Sequence, residues 1–118
     1  LHAVSDALLG ACKMGDIGQM FSNKNNKYKN IRSTLLLKKI IKLINLKRYF
    51  INNLDINIII QAPKIQKYKI KMIDSISKLC KISKDQINIK GKTTEKLGVI
   101  GKEKAVACEV ILSVNKND

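Results

Sequence analysis

His2 and Asp6 stand four residues apart, so on a helix an imidazole and a carboxylate project from the same side. The same stretch runs into Gly15-Asp16-Ile17-Gly18, a tight loop in which Gly15 is placed to stop the helix in a left-handed turn. A helix that carries His and Asp together and delivers such a turn has the form of a support for a site. The residues also suit a plainer reading, an amphipathic core helix with a surface His–Asp pair and a capping glycine. Leu1, Val4, Leu8, Leu9, Ala11 and Cys12 recur at helical spacing and predict its apolar face.

The elements that follow must hold whatever site there is. Phe21 to Asn30 is polar and aperiodic and reads as a mobile surface loop. Ser33 is placed to cap a second helix, with Leu36, Leu37, Ile40, Ile41 and Ile44 inward and an end near Phe50. Asn52-Asn53 is expected to turn the chain into a strand over Leu54 to Gln61, which Pro63 ends because it has no amide for a ladder. A third helix places Ile70, Ile73, Ile76, Leu79 and Cys80 on its buried side and closes at Ser83-Lys84-Asp85. Gln86 to Lys90 alternates as a strand. Gly91 to Gly98 reads as a loop that has room for a short helical turn, and Glu103 to Val114 as a long final strand. This order predicts an α+β fold, a sheet with helices packed on one face.

The 118 residues, 45% hydrophobic and almost without aromatics, fit one domain with an Ile, Leu, Val and Ala core. A net charge of +14 would suit a nucleic-acid binder, a membrane-surface protein or an enzyme of polyanionic substrates. Its form narrows the choice. Only Arg32 and Arg48 are arginines, whereas base reading leans on the guanidinium fork and single-strand binding on aromatic platforms. A Lys, Asn and Ile excess is also what an AT-rich genome imposes on almost any protein. Cys12, Cys80 and Cys108 are far apart and form neither a zinc knuckle nor a disulfide framework, which fits a reducing compartment or an organelle stroma. No apolar run has transmembrane length and no signal-like segment opens the chain. Leu1 falls inside an already periodic helix without a cap, which leads us to expect that more chain precedes it.

Five short segments then combine. His2-x-x-x-Asp6-Ala-Leu-Leu-Gly-Ala, Gly15-Asp16-Ile17-Gly18-x-x-Phe21, Gln61-Ala62-Pro63-Lys64-Ile65, Thr93-Thr94-Glu95-Lys96-Leu97-Gly98-x-x-Gly101 and Ala107-Cys108-Glu109 occur in this order. Each alone is weak; together, over nearly the whole chain, the sequence resembles the 2-C-methyl-D-erythritol 2,4-cyclodiphosphate synthases of the non-mevalonate isoprenoid pathway. The resemblance implies a homotrimer with active sites between subunits. There a substrate phosphate attacks the neighbouring phosphorus of a cytidine-diphosphate-linked methylerythritol phosphate, and CMP leaves. It implies zinc, or a similar divalent cation, at His2, with Asp6 orienting rather than ligating. Magnesium or manganese is implied at Glu95, and a transition-state-stabilising hydroxyl at Thr93, with Thr94 beside it. Asp16 and Gly18 match a ribose-binding turn, with Ile17 and Phe21 among the substrate-binding positions. Ala62, Pro63, Lys64 and Ile65 match a cytosine pocket in which Lys64 meets phosphate, and Lys102 stands near the trimer's central cavity. Neither nucleic acid nor membrane is an expected partner, and the bacterial cytoplasm or the plastid stroma is the expected location.

The departures are specific. The family's Asp-x-His zinc ligands and a His-Ser-Asp segment precede the point where this chain begins, and a lone histidine does not hold catalytic zinc, so the chain by itself is expected to be inactive. Ser22-Asn23-Lys24-Asn25 stands where Pro-Asp-x-Asp is usual, Lys92 where a threonine is usual, Val99 where an aromatic is common and Lys102 where an arginine is usual. Drift in an AT-rich genome and decay to an inactive remnant both produce such changes. A basic RNA-binding α+β module is the rival that net charge alone favours.

Overall fold

The computed structural model describes residues 1–21 and 32–117. The expected loop beyond Phe21 and the Ser22 to Asn25 departure lie outside the described residues. The chain sorts into two compact units, Leu1–Asn53 with Leu112–Asp118, and Leu54–Ile111.

In the first unit, helix α1 spans His2–Ala11. Val4, Leu8, Leu9 and Cys12 are buried as expected, with Ser5 filling the centre of the stripe. Leu1 precedes the helix and Ala11 sits at the stripe's edge, and both are exposed. Gly15 does not stop this helix. Lys13 does, at φ 57; its amide donates to Gly10 O at 3.1 Å and that of Met14 to Leu9 O at 2.8 Å, the paired bonds of a Schellman end. Gly15 is left-handed too, at φ 81, and a β-carbon there would collide with the Gln19 side chain. Asp16-Ile17-Gly18 is the start of a short helix α2, Ile17–Met20, rather than a loop.

Helix α3, Ser33–Leu46, buries Leu36, Leu37, Ile40, Ile41 and Ile44 and packs on α1. Ser33 is its first residue, not its cap; Arg32 holds that position without a side-chain bond. The helix ends before Phe50 because Arg48 turns left-handed at φ 68, and strand β1, Tyr49–Ile59, begins at once. Asn52-Asn53 does not turn the chain. The Asn52 amide donates to Ser113 Oγ at 3.1 Å, and that hydroxyl donates to Asn53 Oδ1 at 2.6 Å. A cross-strand partner thus replaces the local backbone bonds that make Asn a turn residue. Ser113 belongs to strand β3, Ala107–Lys116. Arg48 pairs with Asn117 and Asn52 with Ser113, so β3 runs antiparallel to β1.

In the second unit, β1 pairs in parallel with β2, Ile87–Lys92, in register from Leu54↔Ile87 to Ile59↔Lys92. Asp55 fixes that register: Asn88 Nδ2 donates to its Oδ1 at 3.1 Å and Lys90 Nζ to its Oδ2 at 2.8 Å. Leu54, Ile56, Ile87 and Ile89 are buried, as are Ile76 and Cys80 of helix α4, Lys69–Cys80, which packs on β2. Burial pushes the Cys80 thiol up to about 11. Ile70 was expected inward but is 81% exposed, and Ile73 and Leu79 are half-buried, because only the last turns of α4 bring fully buried side chains to the core. Lys81, at φ 56, ends α4. Ser83 instead opens a 3-10 turn at Lys84–Gln86, its hydroxyl accepting from Asp85 N and its amide donating to Gln86 Oε1.

The loop expected over Gly91 to Gly98 is shorter, because Gly91 and Lys92 complete β2, and the helical turn lies beyond it as α5, Gly98–Gly101. It is followed by left-handed Glu103, at φ 62, so β3 starts at Ala107 rather than Glu103. The strand order β2-β1-β3, parallel on one side of β1 and antiparallel on the other, makes a mixed sheet and an α+β fold, as the order of elements predicts. Among the described residues no helix is long and apolar enough to cross a membrane.

Candidate functional site

Parallel pairing brings the carboxyl ends of β1 and β2 together, the place where such sheets leave a crevice between the departing loops. Ile60 N donates to Lys92 O at 2.9 Å, one step past the last strand pair. From there the chain leaves β1 through Gln61, a cis Ala62–Pro63 bond, Lys64 and the 3-10 turn Ile65–Tyr68, and it leaves β2 through Thr93. Between these exits lies a cleft of about 240 Å³ lined by Pro63, Lys64 and Ile65 on one side and by Thr93 on the other. The sequence segments read as base pocket and reactive hydroxyl therefore share one cavity. Gln61 and Gln66 add amide groups.

Gly91 shapes the floor. A β-carbon there would lie 2.6 Å from Ile65 Cγ1 and 2.9 Å from its Cδ1, so the absence of a side chain is what lets Ile65 lie against the strand. Beyond Thr93 the chain makes a hydrogen-bonded turn, Leu97 N to Thr94 O at 3.0 Å. Its two central residues, Glu95 and Lys96, are both left-handed at φ 53 and 67, the signs of a type I′ turn usually built from Asn and Gly. Thr94 Oγ1 donates to Leu97 O at 2.7 Å, and Lys96 N donates to Gln61 Oε1 at 2.9 Å, which ties the turn to the exit of β1. Gly101 then backs directly onto the Lys96 main chain; a β-carbon there would stand 2.7 Å from Lys96 Cα. Thr93 Oγ1 accepts from Glu95 N at 3.2 Å, which leaves its O–H free to donate to a ligand. Ala62, Thr94 and Glu95 sit in the same two connections without lining the cleft, and Lys102 is an exposed residue just after α5.

In the first unit a second polar group forms. Asp6 Oδ1 accepts from Ile17 N at 2.8 Å, and Asp16 Oδ1 caps α2 by accepting from Gln19 N at 2.8 Å. Asp6 thus ties α1 to the turn at Asp16-Ile17-Gly18. Phe21 is buried just after α2, its amide donating to Ile17 O at 2.7 Å. His2 is exposed in the first turn of α1. Among the described residues no three His, Cys, Asp or Glu side chains come together as a metal site. Zinc takes three or four protein ligands, so His2 by itself does not fit a zinc ion, and neither does lone Glu95 fit a harder cation that wants several oxygens.

Six of the lining residues are not ones the sequence marks as ligand contacts: Ile60, Gln61, Gln66, Lys69, Gly91 and Lys92. The signal for Gly91 and Lys92 was their place at the end of an alternating strand next to Thr93. Lys69, at the start of α4, gave none.

The chain is similar to the bifunctional enzyme IspD/IspF of Pelagibacter ubique, 72% identical over 118 residues, all of this chain but only 32% of that protein. It is 47% identical to the 2-C-methyl-D-erythritol 2,4-cyclodiphosphate synthase of Clostridium botulinum, over 98% of this chain and 74% of that one. A solved IspF of Plasmodium falciparum in complex with CDP superposes with a TM-score of 0.87 at 40% identity, over 99% of this chain and 70% of that chain. The chain thus spans about a third of the bifunctional relatives and near three quarters of the shorter ones. The YgbB family matches residues 1–115, and the chain belongs to that family.

Proposed function

We propose that this chain is the cyclodiphosphate synthase part of its protein, a phosphorus–oxygen lyase of isoprenoid precursor biosynthesis. It converts 4-diphosphocytidyl-2-C-methyl-D-erythritol 2-phosphate to 2-C-methyl-D-erythritol 2,4-cyclodiphosphate with release of CMP. The observation that carries the reading is the single cleft that joins Pro63, Lys64 and Ile65 to Thr93. The CDP-bound IspF relative supports the choice of a cytidine diphosphate as the ligand's recognisable part.

In this reading the substrate supplies its own nucleophile. The 2-phosphate oxygen forms a bond to the neighbouring phosphorus while the bond to CMP breaks, and CMP carries off the electron pair. The protein's task is then to hold the reacting groups in line and to neutralise charge. Backbone groups of Ala62 to Ile65 hold the base, and the Lys64 ammonium faces phosphate. The Thr93 hydroxyl, its oxygen engaged by Glu95 N, donates to a phosphate oxygen. Asp16, in an active site completed between subunits of the homotrimer, accepts from ribose hydroxyls. His2 and Glu95 would each supply one ligand, to zinc and to magnesium or manganese respectively, and neither holds a metal by itself. We also propose a homotrimer working in the bacterial cytoplasm. The RNA-binding alternative leaves the cleft and all five motifs unused.

The test is CMP release from the diphosphocytidyl substrate, with zinc and magnesium supplied, by the protein expressed from its complete reading frame. Turnover that falls at least a hundredfold in Thr93→Val, on the scale of losing one transition-state donor (about 10²–10³), supports the reading. No turnover with intact protein would sink it.

A further inference from the structure

The charge of the cleft is one-sided. Lys64, Lys69 and Lys92 all line it, and none of the described residues that line it is acidic. None of the three takes part in the ion pairs found among the described residues, which engage Lys78, Lys84 and Lys90 instead. They reach the cleft from three separate places: Lys64 from the connection after β1, Lys69 from the first residue of α4, and Lys92 from the last residue of β2. Three ammonium groups without an ion-pair partner among the described residues surround about 240 Å³ and repel one another, and a single phosphate, at most dianionic near neutrality, cannot neutralise them. A chain of linked phosphates can, because each added phosphate brings charge to a different ammonium.

We propose that Lys69 and Lys92 are specificity-determining residues that make the cleft prefer an anion of two or more linked phosphates to a monophosphate. The preference rests on the cytidine-nucleotide reading for its purpose: the diphosphate-linked substrate is held, and the monophosphate product is released. The ammonium groups make no bond in the reaction. They act on the balance between what binds and what leaves.

The experiment is calorimetric titration of the full chain with inorganic pyrophosphate, inorganic phosphate, CDP and CMP at two salt concentrations. Lys92→Thr and Lys69→Gln are compared with Lys71→Thr, which loses an exposed α4 lysine that does not line the cleft and so matches the change in net charge. Each cleft variant is expected to weaken pyrophosphate and CDP roughly threefold to tenfold, the size of one partly exposed charge contact. Phosphate and CMP should weaken less, so the CDP-to-CMP preference shrinks, while Lys71→Thr leaves it unchanged. Equal preference in all four proteins overturns the inference while leaving the nucleotide reading intact. If pyrophosphate binds and responds to both lysines but neither cytidine nucleotide binds better than it does, the charge preference stands and the nucleotide reading falls. Absence of binding by both pyrophosphate and CDP overturns both.

Discussion

Two polar constellations in this chain use charged side chains in opposite ways. In the first, Asp6 and Asp16 spend an oxygen each on backbone amides, Ile17 N and Gln19 N, both at 2.8 Å. In the cleft of the second, lysines have no ion-pair partner among the described residues, and the backbone is held by uncharged groups: Gln61 on Lys96 N, Thr94 on Leu97 O. The carboxylates build; the ammonium groups take no part in holding the backbone. The difference predicts that changes around Asp6 act on order and stability, whereas changes to the cleft lysines act on binding and leave the fold alone.

The largest effect should come from Gly101→Ala, because its β-carbon would meet main chain, at 2.8 Å from Lys96 O, and main chain cannot rotate away. A loss of about 2 kcal/mol or more is expected in urea unfolding; a loss under about 0.5 kcal/mol would mean that the turn behind the cleft is soft. Next, Asp6→Ala should cost about 1 kcal/mol and speed exchange of the Ile17 amide. Asp6→Asn, which keeps an acceptor, should recover most of both. If Asp6→Ala leaves that amide protected, the carboxylate is not what holds the turn.

Lys81→Gly should run the other way, with a gain of about 1 kcal/mol, since a lysine at φ 56 carries a left-handed penalty that glycine lacks. An unchanged midpoint would show that the charge at the end of α4 offsets the strain. The smallest effect concerns acid. Hydrogen bonds from Lys90, and then from Asn88, hold the Asp55 carboxyl below the usual carboxylate range. A lowered folded value means the stabilisation is full above the unfolded aspartate value, near pH 4 (about 3.9), and is lost as pH falls through the folded one. Asp55→Asn should therefore lower stability near neutrality, flatten the acid limb and meet the parent curve at low pH, where Asp55 is protonated in both states. An identical acid limb would remove Asp55 from the account.

Much of the fold was legible because apolar spacing is robust to composition. The inward face of α3, the alternation of β2 and the motif order all follow from side chains that must be buried or must be small. The stops were harder to read. Lys13, Arg48 and Lys81 end α1, α3 and α4 in left-handed conformations, where glycine is the usual signal, so helix ends fell at the wrong residues. Asn52-Asn53 misled for a related reason: its turn chemistry was overridden by Ser113, some sixty residues away, which no local window contains. Of the cleft lining, Pro63, Lys64, Ile65 and Thr93 lie in motifs that the sequence displays. Lys69 was not legible, because only the fold brings the start of α4 beside the ends of two parallel strands.

The most direct test of the cleft is a titration of isotopically labelled protein with CDP, followed by backbone amide shifts. Movement is expected to concentrate in 60–69 and 91–93, the segments that line the cleft, with Thr93 among the largest. Shifts spread over the lysine-rich surface, or none in these two segments, would contradict it.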